Sequence, residues 1–246
     1  MTREPSKPAS FAQNDLGTIG GAHRLQRRFS PGSELIHEGQ LKASVFVLLG
    51  GWTFSYKMLP NGGRQIMDFQ LPGDFLGLRG IIFGSADHSI EAATHVEASQ
   101  LAASDVRDAI GNSPRLASAV LRAIARNEAM VLEHLVNVGR RSGEERLAHL
   151  LLELHARLKL RGLADKKGFD CPLTQFHLAD ALGLSAVHVN RVLRHLREAA
   201  LVTFQNGRVD FDNIDSIQQL AGFDAAYLHQ NETLRHSGSE ILISMQ

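Results

Sequence analysis

The stretch TQFHLADALGLSAVHVNRVLRHLREAALV, residues 174–202, constrains the fold more than any other part of the sequence. Thr174 can cap a short helix, and Gly183 can take the left-handed conformation that ends it and turns the chain. Ser185 can then cap a second helix running to about Ala199. Small Ala179 sits where two such helices would cross closely, while Leu178, Leu182, Leu184, Val189, Val192 and Leu193 point into a shared core. This spacing predicts a helix-turn-helix. Beyond it, LVTFQNGRVDFDN alternates around Asn206-Gly207, a favoured two-residue hairpin turn, which adds a wing.

With the apolar row turned inward, Ala186, Val187, His188, Asn190, Arg191 and Arg194 remain on the outer side of the second helix or at its start. That face, with Ser185 at its start and Gln175 from the first helix, is the one expected to meet DNA. Asn and Arg can make paired hydrogen bonds to adenine and guanine edges, whereas Val187 could meet only a thymine methyl. Arg194, His195 and Arg197 lie further along, where phosphates or solvent are the expected surroundings. The basic run does not carry this reading alone, since charge runs are commonly solvated helix faces. Nor does the total charge, with 26 basic and 26 acidic residues.

From about Leu25 to Ala103 the chain is punctuated by Pro31-Gly32, Gly50-Gly51, Asn61-Gly62-Gly63 and Pro72-Gly73. Short runs such as SELIHEG, SVFVLLGG, WTFSYKML and RQIMDFQL lie between them, several alternating apolar and polar, which predicts an all-β sandwich or barrel. After Ser113-Pro114 the pattern becomes one long helix. Leu121, Ile124, Val131, Leu135 and Val138 form one stripe; Val120, Ala123, Asn127, Met130 and His134 form a second. One face can cover the β domain and leave the other for a partner helix; a helix wholly buried in its own domain is the alternative. GRRSG, residues 139–143, is the expected boundary and hinge, with a new amphipathic helix from near Glu144.

No apolar run approaches the ~20 residues of a membrane span. Met1 to Gly21 lacks the apolar core of a signal peptide and is rich in Pro, Ser and Ala, so a disordered lead-in and a cytoplasmic protein are expected. A single cysteine, Cys171, can form no internal disulfide and cannot by itself supply an iron–sulfur cluster or structural zinc site. Twelve histidines invite a metal or haem reading, with His88, His95, His134 or Met67 as conceivable axial ligands. No pair has a diagnostic spacing, and scattered surface histidines are the expectation. No catalytic residue, metal site or cofactor is assigned.

The order of β domain, long helix, hinge and winged helix-turn-helix resembles the CRP/FNR family of bacterial transcription regulators over about residues 22–230. The carriers are LADALGLSAVHVNRVLRHLREAALV and LPGDFLGLRGIIFGSADHSIEAAT, the second similar to the family's phosphate-binding cassette through Gly73, Asp74, Phe75 and Gly77. The resemblance implies an α+β chain: a cyclic-nucleotide-binding-type β-roll (jelly roll), a long dimerisation helix and a C-terminal winged helix-turn-helix. It also implies a homodimer on an inverted-repeat DNA operator, with RNA polymerase as a further partner. Members that bind cyclic AMP carry a glutamate for the ribose and an arginine for the phosphate; Leu78 and His88, followed by Ser89, stand at those positions. Histidine is only partly charged near neutral pH. The neighbour-to-neighbour offset predicts that Arg79 points elsewhere. Phe75, Gly77, Leu78, Arg79, His88 and Ser89 are the candidate effector pocket, with an effector other than cyclic AMP. In the recognition helix Val187 replaces the glutamate that many members use to read cytosine, whereas Arg191 matches the family's base-reading arginine.

The expected domains are a disordered segment 1–21, a β-roll sensor 22–112, a dimerisation helix 113–140, a DNA-binding domain 141–230 and a tail 231–246. The competing readings are a cupin-like enzyme barrel and a small-molecule binder without a DNA role. The first needs a cluster of His and carboxylate ligands on strands, and RQIMDFQL and SELIHEG supply isolated ones; the completed helix-turn-helix and wing argue against the second.

Overall fold

The computed structural model describes residues 25–41 and 44–228, so the expected disordered segment 1–21 and the tail 231–246 lie outside the described residues. Two antiparallel four-stranded sheets form the first half. One takes β1 (Leu25–Phe29), β3 (Val45–Gly50), β6 (Phe75–Leu76) and β8 (Val96–Leu101) in the order β1-β8-β3-β6. The other takes β2 (Glu34–Ile36), β4 (Thr53–Met58), β5 (Arg64–Gln70) and β7 (Ser89–Ala92) in the order β2-β7-β4-β5. Pro31-Gly32, Asn61-Gly62-Gly63 and Pro72-Gly73 fall between strands, and Gly50-Gly51 straddles the end of β3. At the β4–β5 tip, for example, Leu59 N–H donates to Gly63 O at 2.8 Å.

β3 shows why one of these runs is continuously apolar. Phe46 and Leu48 face Leu35, Ile36, Leu76 and Ile90 on one side. Val45 and Val47 face Leu101, Val106, Leu116 and Val120 on the other. Successive side chains of a strand point to opposite faces, and here both faces are covered.

Helices α1 (Leu78–Phe83) and α2 (Ala103–Asn112) precede the long α3 (Pro114–Arg140). Ser113 Oγ accepts from Leu116 N–H at 3.2 Å and Pro114 occupies the first helical position, both favourable at a helix start. Val120 is buried against the β-roll and Met130 is buried near β5 and the helix that follows, while Leu121, Val131 and Leu135 stand exposed, so the helix has two apolar faces and fills only one.

The interruption after α3 is shorter than the two glycines of GRRSG suggest. Gly139 stays inside α3 and Gly143 already belongs to α4 (Gly143–Lys159), leaving Arg141 and Ser142 as the break. The reason is a capping box: Ser142 Oγ accepts from Glu145 N–H at 3.4 Å, and Glu145 Oε2 accepts from Ser142 N–H at 2.6 Å. It restarts the helix at once, making a bend in place of a loop.

β9 (Gly168–Asp170), α5 (Gln175–Leu182), α6 (Ala186–Glu198), β10 (Val202–Gln205), β11 (Arg208–Phe211) and α7 (Ile214–Ala221) complete a winged helix-turn-helix with a three-stranded sheet β10-β11-β9. Asn206 and Gly207 take φ of 52° and 73°, the left-handed pair that a two-residue hairpin turn of this kind requires. The expected β-roll, long helix and winged helix-turn-helix are all present. One continuous apolar cluster runs from Phe54, Ile66 and Phe69 on β4 and β5 through Leu151 and Leu182 to Val189 and Leu196. The second sheet and the helix-turn-helix therefore share a core.

Candidate nucleic-acid interface

The turn between α5 and α6 is fixed from both sides. Thr174 Oγ1 accepts from His177 N–H at 3.2 Å, and His177 Nδ1 accepts from Thr174 N–H at 3.2 Å. Burial holds the His177 pKa down, and a neutral ring can keep that nitrogen free as an acceptor. Gly183 ends α5 at φ 64°, ψ 37°, where a side chain would be strained. Ser185 then caps α6 through a bond from His188 N–H at 3.2 Å. Leu178, Leu182, Val189 and Val192 are fully inside; Leu184 and Leu193 are half-buried at the rim of the same cluster.

This leaves Val187, Asn190, Arg191 and Arg194 exposed along one face of α6, with Gln175 exposed beside it. The first turn of α6 holds no acidic residue, so the positive end of the helix dipole is not neutralised there. Asn190 Nδ2 donates to Gln175 Oε1 at 2.7 Å, which ties the outer faces of the two helices together. Arg194 Nε donates to Glu198 Oε1 at 2.8 Å, an exposed i,i+4 pair. Ala186 and His188 lie less far out. Ala186 packs against the core cluster, and a β-carbon on Gly143 would come within 2.7 Å of His188 Nε2, so this ring sits over the start of α4. His188 Nδ1 lies 3.3 Å from Arg191 Nη2, a contact that steadies the arginine.

The candidate effector residues are less closely gathered. Gly77, Arg79 and His88 line a narrow crevice with Ile36, Asp87 and Ile90. Gly77 has φ 78°, and a β-carbon there would lie 2.8 Å from the Ser44 carbonyl oxygen. Leu78 is turned into the core beside α2 and α3, and Phe75 packs against the same cluster. Ser89 is buried, its Oγ accepting from Glu38 N–H at 3.0 Å. Arg79 departs from its expected direction: it meets Asp87 at 2.8 Å, and so does His88. Both side chains are thereby engaged by one carboxylate, and among the described residues lining the crevice no cation is left unopposed for a cyclic phosphate.

A buried ionic network joins the two halves, and nothing in the sequence pattern announced it. Arg157 on α4 is 4% exposed. Its guanidinium donates to Asp68 Oδ1 at 2.8 Å, to Phe69 O at 2.7 Å, to Glu153 Oε1 at 3.3 Å and to Asp74 Oδ2 at 3.4 Å. Asp74 also receives Arg161 and Arg126, and Leu71 N–H at 2.9 Å. Burial would raise the Asp74 pKa, but three guanidiniums and a backbone donor prevail and hold it at about 2. Asp74, which resembles a cassette residue, thus serves the junction between the β-roll and the helix-turn-helix unit. Arg64 Nε bonds Asp180 Oδ2 at 2.9 Å, and Gln65 Nε2 donates to Ala181 O at 3.0 Å, so β5 is also tied to α5.

The expectation of surface histidines needs correction. His149 and His155 are buried, because an imidazole ring packs like an aromatic side chain once its polar atoms are matched. His155 Nε2 lies 2.8 Å from Asp165 O and its ring stands against Phe211. His149 packs on Phe223 and Tyr227; burial, reinforced by the Arg141 and His134 charges, pushes its pKa down to about 4. Its neighbour Glu133, at 3.4 Å, is already engaged by Arg141. Cys171 is buried too, its thiol pushed up to about 12 by burial.

Comparison with known proteins places this geometry. Residues 145–220 match the family described as Crp-like helix-turn-helix domain, and residues 26–113 match the cyclic nucleotide-binding domain. The chain is 31% identical to the nitrogen fixation regulation protein FixK of Bradyrhizobium diazoefficiens, covering 84% of this chain and 87% of the relative. It is 32% identical to the transcriptional activatory protein AadR of Rhodopseudomonas palustris over 73% of this chain and 74% of that protein. Among solved structures, FixK2 from Bradyrhizobium japonicum superposes with a TM-score of 0.75 at 26% identity, covering 82% of this chain and 99% of that one.

Proposed function

The chain belongs to the CRP/FNR family of DNA-binding transcription regulators, and from that premise we propose that it acts as a homodimer that sets an α6 into the major groove of each half of an inverted repeat. The observation that carries this is the outer face of α6, where Asn190 and Arg191 stand exposed on a helix whose start, turn and inner face are all fixed. Salt-dependent retardation of promoter DNA against random DNA tests it. Specific retention that outlasts the loss of random binding as salt rises supports the reading, and equal loss of both overturns it.

Val187, Asn190, Arg191 and Gln175 form the base-facing group in this reading, with Ser185, Ala186 and His188 holding it and Arg194 nearer the phosphates. Residues 22–112 serve as sensor and 141–230 as DNA-binding unit, with RNA polymerase as the further partner and the cytoplasm as the setting. Among the described residues no helix is long and apolar enough to cross a membrane.

The exposed stripe of α3 is the proposed dimer seam, with Leu135 64% exposed and Val131 beside it. Leu135→Glu should give monomers in sedimentation at micromolar concentration, where the unaltered chain sediments as a dimer. A wild type that is already monomeric removes this assignment.

The sensor crevice is proposed to take an effector other than cyclic AMP. Calorimetry is expected to show no saturable binding of cyclic AMP or cyclic GMP, because the phosphate would have to displace Asp87 from Arg79 and His88. A micromolar dissociation constant would show that the crevice rearranges around the nucleotide.

A further inference from the structure

We propose that Val187 reads the 5-methyl group of a thymine in each half-site, so that one base pair of the operator is chosen by an apolar contact and not by a hydrogen bond. The inference rests on the reading of α6 as a major-groove helix and names what one position of that helix recognises.

Val187 is 79% exposed, more than any other large apolar side chain among the described residues. Single exposed apolar side chains are ordinary on protein surfaces and by themselves call for no explanation. The position of this one does. Valine is a weaker helix former than most residues, and here it lies outside the core clusters, so neither helix stability nor the core accounts for it. At about 100° per residue, Val187 shares a face with Asn190 and Arg191, one turn on, and Arg194, two turns on. Asn190 is anchored to Gln175 and Arg191 is steadied by His188. Any base edge that those two side chains reach brings Val187 against its neighbour.

The major groove offers one apolar group, the thymine methyl; the other edges present donors and acceptors that valine cannot match. Over a cytosine amine or a guanine carbonyl, Val187 would strip water from a polar atom and return nothing. Over a thymine it buries a methyl on a methyl. A β-branched side chain in a helix has essentially one χ1 rotamer, so little side-chain freedom remains to be lost on contact. The Ser185 cap holds the backbone of this first turn in place. The expected effect equals the burial of one methyl group, about fourfold in affinity per half-site and about fifteenfold for a symmetric operator.

The experiment begins with an operator selected from randomised DNA by the full-length wild type. Each thymine of the half-site is then replaced, symmetrically, by deoxyuridine, which removes the methyl and leaves every hydrogen-bonding group. Affinities are measured by fluorescence anisotropy for wild type and Val187→Ala, a change at an exposed helical position that leaves the fold intact. One thymine position should cost the wild type about fifteenfold on replacement, and that penalty should largely vanish in Val187→Ala. If every replacement costs the wild type less than about threefold, or if the penalty survives unchanged in Val187→Ala, the inference is overturned while the DNA-reading function stands. If no inverted repeat is enriched at all, the DNA-reading proposal fails and takes this inference with it.

Discussion

Arg157→Ala should lower the stability of the folded chain by about 3–5 kcal/mol, the range for removing one partner of a buried ion pair and leaving the others unmatched. Four acceptors lose their donor together: Asp68, the Phe69 carbonyl, Glu153 and part of Asp74. Arg157→Lys should recover little of this, because an ammonium is a point charge and cannot serve acceptors on opposite sides of a planar fork. Scanning calorimetry of the three proteins decides it, with a drop in melting temperature on the order of 10 °C expected for Arg157→Ala. A loss below about 1 kcal/mol would mean that water reaches these groups freely. The same network sets an acid limit. The Asp74 pKa is held at about 2, below the ordinary value of 3.8, so its contribution is complete above the ordinary value and is lost as pH falls through about 2.

Arg191→Ala should cost about 1–3 kcal/mol of discrimination per half-site, the worth of a bidentate arginine–guanine pair, and flatten preference at one base pair in each half. Arg197→Ala, at an exposed position further along α6, should weaken specific and random DNA about equally and lower the salt slope by no more than about one per subunit. Selection from randomised DNA with wild type and both variants separates the two effects. Identical base preferences in all three proteins would mean that α6 does not do the reading.

Much of this molecule was legible from local pattern. Asn61-Gly62-Gly63 and Asn206-Gly207 mark hairpins because few residues accept positive φ, and Ser113-Pro114 marks a helix start for an equally local reason. The helix-turn-helix could be read because its core is spaced by one helix period on each side of Gly183. The junction could not. Arg157 and Asp68 lie 89 residues apart, and no periodicity links a guanidinium on a helix to a carboxylate on a strand. Asp74 is a second case, since its setting in PGDF resembles the cassette but does not announce that its carboxylate turns toward α4. Likewise His188 shares the outer half of α6 by helical angle, yet Gly143 opens a space into which its ring folds back. A missing side chain on another helix decides that orientation.

The shared core between the β4–β5 sheet and the helix-turn-helix bears on how finely a two-fold dimer can be phased to DNA. Two reading helices must enter successive turns of the major groove, about 34 Å apart, and symmetry doubles any swing of one unit in the gap between the pair. A unit on a free tether would spread that gap over many values and meet the double helix in register only a fraction of the time. Here a swing would have to part Phe54 and Phe69 from the cluster they share with α5 and break the bonds from Arg64 to Asp180 and from Gln65 to Ala181. The angle at which each chain presents α6 is thus set during folding, and in the proposed dimer the spacing of the half-sites would follow from it before any DNA is met.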